Sequence, residues 1–132
     1  MSNERRGHWD DRNREGTPGP PEPSVAEMLP LLPKGLALDI GAGLGRNAIA
    51  LAEAGLRVIA ADYSVSAAQA LHRLARERGL AIVPVLADIE VSFPLKPGSF
   101  DLVVNVNFLN RALVPHLIEA LRPGGILLFD TF

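Results

Sequence analysis

An apolar run that ends in an acid and passes at once into three alternating glycines, Leu38-Asp39-Ile40-Gly41-Ala42-Gly43-Leu44-Gly45, constrains this chain more than any other segment. It reads as a strand, a tight turn and a helix opening at about Leu44. Glycine takes positive φ at little steric cost and lets a ligand approach the backbone with no Cβ in the way. The helix start adds unpaired N–H groups aimed at the same spot. Together they predict a cradle for a nucleotide-like ligand with a negative end. A tight turn that binds nothing is the plain alternative, and Asp39 with the flanking strand and helix patterns weighs against it.

Strand and helix signals alternate through the rest of the chain. Ser24 and Glu27 have capping-box spacing ahead of Val25, Met28, Leu29 and Leu32, which predicts a short helix that Pro30 bends or ends. Leu36 to Ile40 is the first strand, Leu44 to about Ala54 a helix stopped by Gly55, and Leu56 to Asp62 the second strand. Ser64 can cap a helix to about Arg78, closed by Gly79, with Val65, Ala68, Leu71, Leu74 and Ala75 at helical spacing. Leu80 to Ala87 is a third strand, and Pro84 within it lacks a ladder donor and so places it at a sheet edge. Phe100 to Val106, a helix from about Asn110 to Leu121, and Ile126 to Thr131 complete the series. Aliphatic strands alternating with helices predict an α/β fold: a doubly wound parallel sheet of order 3-2-1-4-5, Rossmann-like, with helices on both faces.

At 132 residues the chain suits one domain. Residues 1 to about 23 are polar and rich in Pro and Gly, which predicts a flexible tail ahead of a domain over 24–132. Trp9 is the exception in that tail, and is predicted either to fold over the site as part of a lid or to tether the tail to the core. The formal net charge is −2, and Arg5, Arg6, Arg12 and Arg14 are matched by Glu4, Asp10, Asp11 and Glu15, so no basic face points to nucleic acid. Cysteine is absent, excluding disulfides and thiolate sites, while His8, His72 and His116 lack ligand spacing, so no metal site is expected. Neither a signal peptide nor a membrane span is legible, and the expectation is a soluble cytoplasmic protein.

The glycine spacing separates two kinds of nucleotide cofactor. A dinucleotide fingerprint, G-x-G-x-x-G, would place its third glycine where Arg46 stands; here it comes one residue earlier, at Gly45. The pattern D-x-G-x-G-x-G resembles the first motif of the class I S-adenosylmethionine-dependent methyltransferases. That resemblance spans residues 36 to 132 and includes Leu121-Arg122-Pro123-Gly124-Gly125 before the fifth strand. It implies S-adenosyl-L-methionine as cofactor, with Asp39 facing the cationic amino group and Gly41, Ala42, Gly43 and Gly45 passing under the ribose and methionine. Arg46 and Asn47 follow the loop and join the cofactor set. Gly45-Arg46-Asn47 and Trp9-Asp10-Asp11-Arg12 look like the small-molecule branch that includes tellurite-resistance and thiopurine-type enzymes.

Ligands of open α/β sheets lie beyond the carboxyl ends of the strands, so polar residues there are the candidates. Asp62 ends the second strand at the distance where an acid meets a ribose diol; a helix cap is its other reading. The resemblance places Tyr63 beside the adenine, has Asp88 accept from the adenine amino group, and puts Ile89 against the ring. Asn105 interrupts the fourth strand and needs a partner, which the methionine end of the cofactor can supply. Asn107, Asn110 and Arg111 either face the acceptor or serve as a cap and a surface charge. In-line transfer from a sulfonium needs no dedicated acid or base, and Asp130 is assigned no catalytic role. The expected activity is methyl transfer to a small-molecule acceptor, soft nucleophiles such as thiols or tellurium oxyanions included; a cofactor-binding remnant or an NAD(P)-binding domain are the alternatives. The family's final helix and antiparallel strand pair are not found before Phe132. That predicts exposed apolar surface at Leu127 and Phe129, self-association through the fifth strand, and weak methyl transfer.

Overall fold

A computed structural model describes residues 18–88, 95–107 and 110–131. Five strands form one parallel sheet of order β3-β2-β1-β4-β5: β1 is Leu36–Ile40, β2 Arg57–Asp62, β3 Ile82–Leu86, β4 Phe100–Val106 and β5 Leu121–Asp130. The helices are α1 Pro23–Met28, α2 Arg46–Glu53, α3 Val65–Arg78 and α4 Val114–Ala120, with 3-10 turns at Leu29–Leu31 and Arg111–Leu113. Order and class agree with the sequence reading. Trp9 and Ile89 lie outside the described residues.

Alternation along each strand sorts the core into two layers. Ala37, Val58, Ala60, Leu102 and Val104 pack with Val25, Ala48, Leu51 and Leu71 from α1, α2 and α3. Leu38, Ile40, Ala61 and Val103 pack on the other face against Leu113, Leu117 and Ala120 around α4. Central strands buried on both sides explain why β1 and β4 read as largely aliphatic runs, broken only by Asp39, Asp101 and Asn105 among polar residues. At the edge, β3 pairs only with β2 among the described residues, and Pro84 sits opposite Ala60 where its missing N–H leaves no gap in an inner ladder.

At the amino ends of the strands, Asp101 joins three elements. Its Oδ2 accepts the Leu36 N–H at 2.8 Å and its Oδ1 meets Arg122 Nε at 3.1 Å. A Cβ on Gly35, φ +127°, would overlap that carboxylate. This end of the sheet is closed by ion pairing and backbone bonds, leaving the carboxyl ends to carry the site.

Several boundaries differ from the sequence expectation. Glu22, not Ser24, is the N-cap of α1, without a side-chain cap, because Pro23 at the first helical position already has the φ a helix needs. The Ser24 hydroxyl is buried with no hydrogen-bond partner among the described residues. Helix α2 opens at Arg46 rather than Leu44, since Gly43 and Gly45 take φ +57° and +89° and hold the chain in the turn. The third strand is shorter at both ends. The fifth begins at Leu121, pairing with Phe100, after which its register to β4 shifts before Leu102 meets Ile126. On the α4 face Leu127 packs against the core, and Phe129 is 40% exposed.

Candidate active site

The carboxyl ends of β1, β2 and β4 frame the site, and the glycine loop closes it from above β1. Gly41 and Ala42 donate their N–H groups to the Ala61 carbonyl at 2.8 and 3.0 Å, Gly43 donates to Asp62 Oδ2 at 2.7 Å, and Gly45 to the Ala42 carbonyl at 2.9 Å. The glycines do different work. At Gly45 a Cβ would stand 2.5 Å from Leu71 Cδ1, so the small residue lets α3 pack against the loop. At Gly43 a Cβ would meet nothing within 4 Å, although φ is +57°. Space next to Gly43 is therefore open to a ligand.

Asp39 pairs with Ala60 and Val104, which turns its side chain to the α1–α3 face and beneath the start of α2. It is 1% exposed, and the Ala48 backbone N–H in the first turn of α2 hydrogen-bonds its carboxylate. Oδ2 is buried with no partner among the described residues. Burial first, and then the nearby Asp62 charge, push the Asp39 carboxyl up to about 7; the Ala48 hydrogen bond and the Arg46 guanidinium pull the other way.

This arrangement corrects the expected cradle for a negative ligand end. The positive end of a helix normally draws an anion. Here the chain's own Asp39 takes that place, and the N–H groups of Gly41, Ala42, Gly43 and Gly45 are bonded within the protein. What remains is a half-satisfied buried carboxylate at the start of α2.

Asp62 closes β2 with three backbone donors on its carboxylate: Gly43 on Oδ2, and Tyr63 and Ser64 on Oδ1 at 2.7 and 3.0 Å. The cap of α3 is Ser64, whose Oγ accepts from Ala67 at 3.2 Å. Tyr63 is buried. The Ala87 N–H donates to the Asp62 carbonyl at 2.8 Å, which brings half-buried Asp88 next to the end of β2. Asp39, Gly41–Gly45, Asp62, Tyr63 and Asp88 thus gather at one end of the sheet.

Three candidates stand apart. Arg46 pairs with Glu22 at 2.6 Å and Asn47 Oδ1 accepts the Glu22 N–H at 2.9 Å, so both hold the segment before α1 against α2. Asn105 pairs with Ile40 and Phe129, placing its side chain on the α4 face, opposite Asp39. It is fully buried, with neither amide atom partnered among the described residues. Asn107 follows at φ +57°, a conformation asparagine tolerates, its N–H donating to the Asp130 carbonyl at 2.9 Å. Asn110 caps the turn at Arg111 through Ala112. Sequence reasoning missed Glu22 and the Asp62–Gly43 bond. Both join residues about twenty or more positions apart, with no local pattern to announce them. Among the described residues no cluster of His, Cys, Asp or Glu suits a metal ion, and no helix is long and apolar enough to cross a membrane.

Comparison with known proteins agrees with this geometry. A family model described as a methyltransferase domain matches residues 37–125. The chain is 32% identical over 99 residues to a ubiquinone biosynthesis O-methyltransferase from Idiomarina loihiensis, covering 71% of this chain and 41% of that protein. It is 33% identical over 115 residues to a demethylmenaquinone methyltransferase from Mycolicibacterium vanbaalenii, covering 83% and 47%. A solved structure from work on conversion of a disulfide bond into a thioacetal group during echinomycin biosynthesis superposes with a TM-score of 0.69 at 30% identity, covering 83% of this chain and 48% of that one. The chain spans less than half the length of each of these proteins. With a glycine loop under an acid-capped helix and a sheet of order 3-2-1-4-5, the chain belongs to the class I S-adenosylmethionine-dependent methyltransferase family.

Proposed function

We propose that this chain forms the cofactor-binding part of an enzyme that methylates a small-molecule acceptor by in-line transfer. The single observation that carries the reading is Asp39: a buried carboxylate with a free oxygen at a helix N-terminus repels a pyrophosphate and attracts an ammonium or sulfonium group. The open space at Gly43 supports close approach of the cofactor backbone, and the Asp62 carboxylate supports contact with its ribose. Tyr63, Asp88 and Ile89 are proposed to surround the adenine, and Asn105 to serve the methionine end. Arg46 and Asn47, which follow the loop, are held to Glu22 ahead of α1.

When bound, the cofactor supplies a methyl group on a positively charged sulfur. Asp39, the glycine loop and Asp62 would hold the cofactor, and the chemistry it would supply is methylation of an acceptor heteroatom in exchange for that atom's proton. The chain's share is to hold donor and acceptor in line and keep the cation beside Asp39. The quinone-related names of two relatives favour a quinone-type ring acceptor over tellurium oxyanions or thiopurines.

Calorimetric titration tests the reading. S-adenosylhomocysteine is expected to bind and NAD⁺ to show no heat of binding at the same concentrations. Tighter binding of NAD⁺ would replace the methyltransferase reading with a dinucleotide one.

A further inference from the structure

Arg46 is an unfavourable residue for the place it occupies. It opens α2, where the positive end of the helix dipole repels a cation, and the first turn has no acidic residue of its own. Two carboxylates reach that turn from other elements. Asp39 of β1 accepts the Ala48 N–H, and Glu22, ahead of α1, accepts from Arg46 Nη2 through Oε2 at 2.6 Å. Glu22 is fixed there independently of its side chain, because its backbone N–H donates to Oδ1 of buried Asn47 at 2.9 Å and its carbonyl accepts from Val25 and Ala26 in α1. Its carboxylate is thus delivered to Arg46 across 24 residues of chain.

The guanidinium so held has an alternative partner. An arginine carries five N–H donors, the charge of Arg46 already favours the ionised form of Asp39, and Asp39 Oδ2 is buried with no partner among the described residues. A half-satisfied carboxylate near an unpaired guanidinium forms a charge-assisted pair. That pair would use the oxygen that a cationic ligand needs. We infer that Glu22 is a positioning residue that holds the Arg46 guanidinium off Asp39 and so keeps the unpartnered carboxylate oxygen open to a cationic ligand. This deepens the cofactor reading and rests on it for the identity of that cation; the competition of Glu22 and Asp39 for Arg46 stands on the protein alone. Without Glu22, part of the population is closed by its own arginine, and apparent affinity falls with the fraction still open. The other charged group acting on Asp39 is Asp62 of β2, which favours its protonated form, while Glu27 of α1, Glu53 of α2 and the charged residues of α3 are exposed.

Two measurements decide it: titration of the Asp39 carboxyl carbon by NMR in the cofactor-free chain, and calorimetry with S-adenosylhomocysteine at about pH 8.5, where the carboxylate is charged. Both are made on the wild type, on Glu22→Ala, and on Glu22→Ala combined with Arg46→Gln. Glu22→Ala keeps the backbone bond to Asn47 and frees the guanidinium. Its Asp39 carboxyl is expected to ionise about one pH unit below the wild-type value of about 7, and its affinity to fall about tenfold, the range of a charge-assisted pair. Adding Arg46→Gln removes the competitor, so the Asp39 midpoint is expected to return to the wild-type value or above it, and affinity to recover. A residue that only braced α2 would lose affinity in Glu22→Ala and not regain it. If Glu22→Ala does not fold, Glu22→Gln, which leaves Arg46 an uncharged acceptor, is expected to move both readings in the same direction by less. An Asp39 carboxyl that titrates alike with and without the Glu22 charge, or an affinity loss that persists when Arg46 is replaced, overturns the inference. Failure of S-adenosylhomocysteine to bind the wild type overturns the cofactor reading, while the Asp39 titration still judges the hold on Arg46.

Discussion

The backbone N–H of Ala48 donates to the carboxylate of Asp39, so helix α2 is capped by a side chain from the preceding strand and not by its own N-cap, Gly45. The Gly45 position has no side chain to offer, and a Cβ there would run into Leu71. The two oxygens of this acid divide: one is turned toward Ala48, and the other is unpartnered among the described residues.

That division makes Asp39 a source of instability at neutral pH. Its folded carboxyl ionises at about 7 against an ordinary 3.8, raised by burial and by Asp62. Between those values the folded chain keeps a proton that the unfolded chain has released, so stability falls as pH rises from about 4 to about 7 and the loss is complete above that. At about 1.36 kcal/mol per pKa unit the loss is on the order of 4 kcal/mol. Asp39→Asn keeps an oxygen for Ala48 and removes the charge. Denaturant unfolding of the cofactor-free chain at about pH 5 and about pH 8 is expected to show the wild type weakening at the higher pH and the variant weakening much less. Parallel behaviour of the two proteins would show that Asp39 is not the group responsible.

Two glycine replacements separate folding from binding. Gly45→Ala forces a methyl group to within 2.5 Å of Leu71 at φ +89°, and is expected to destabilise the chain by about 3 kcal/mol, crowding and left-handed strain together. Gly43→Ala meets open space and carries only the strain, about 1–2 kcal/mol, but on the proposed reading places its methyl in the path of the cofactor. Thermal melts with S-adenosylhomocysteine titrations check both. A Gly43→Ala variant that binds as tightly as the wild type would move the cofactor away from the loop.

Asn105 carries an unmet cost. A fully buried amide with no partner among the described residues is expected to weaken the fold by about 1–3 kcal/mol relative to an apolar isostere. Asn105→Leu should therefore raise the melting temperature of the cofactor-free chain. The same variant is expected to bind S-adenosylhomocysteine at least tenfold more weakly if Asn105 serves the methionine end. A stabilised variant with unchanged affinity would assign the amide to another ligand on the α4 face.

Most of the architecture was legible because the sheet is buried on both sides: β1, β2 and β4 are aliphatic runs, and Pro84 marks β3 as an edge. The glycine loop and Asp62 were legible for the same local reason, since turn chemistry and strand ends are written in adjacent residues. What escaped is what depends on distance in the chain. Nothing near Ser24 reveals that Pro23 and Glu22 set the helix start, or that Glu22 engages Arg46 and Asn47. The cap of α2 also escaped, because counting free helix N–H groups ignores a carboxylate arriving from β1. Asp39 and Asn105 read alike as polar residues late in strands, and only the register places them on opposite faces.

On the proposed reading, the Asp39 carboxylate holds the cationic group of the cofactor. The most direct measurement of that contact is the affinity for S-adenosylhomocysteine across roughly pH 5.5 to 8.5, for the wild type and for Asp39→Asn. Because the cofactor-free carboxyl ionises at about 7 and the ligand ammonium favours its charged form, wild-type affinity is expected to be flat above about pH 8 and to fall by up to about tenfold per pH unit below 7. Asp39→Asn is expected to bind about ten- to a hundredfold more weakly at pH 8, the loss of a charge-assisted hydrogen bond, with little pH dependence. A wild-type affinity that is constant over the whole range, or a variant that matches the wild type at pH 8, would contradict it.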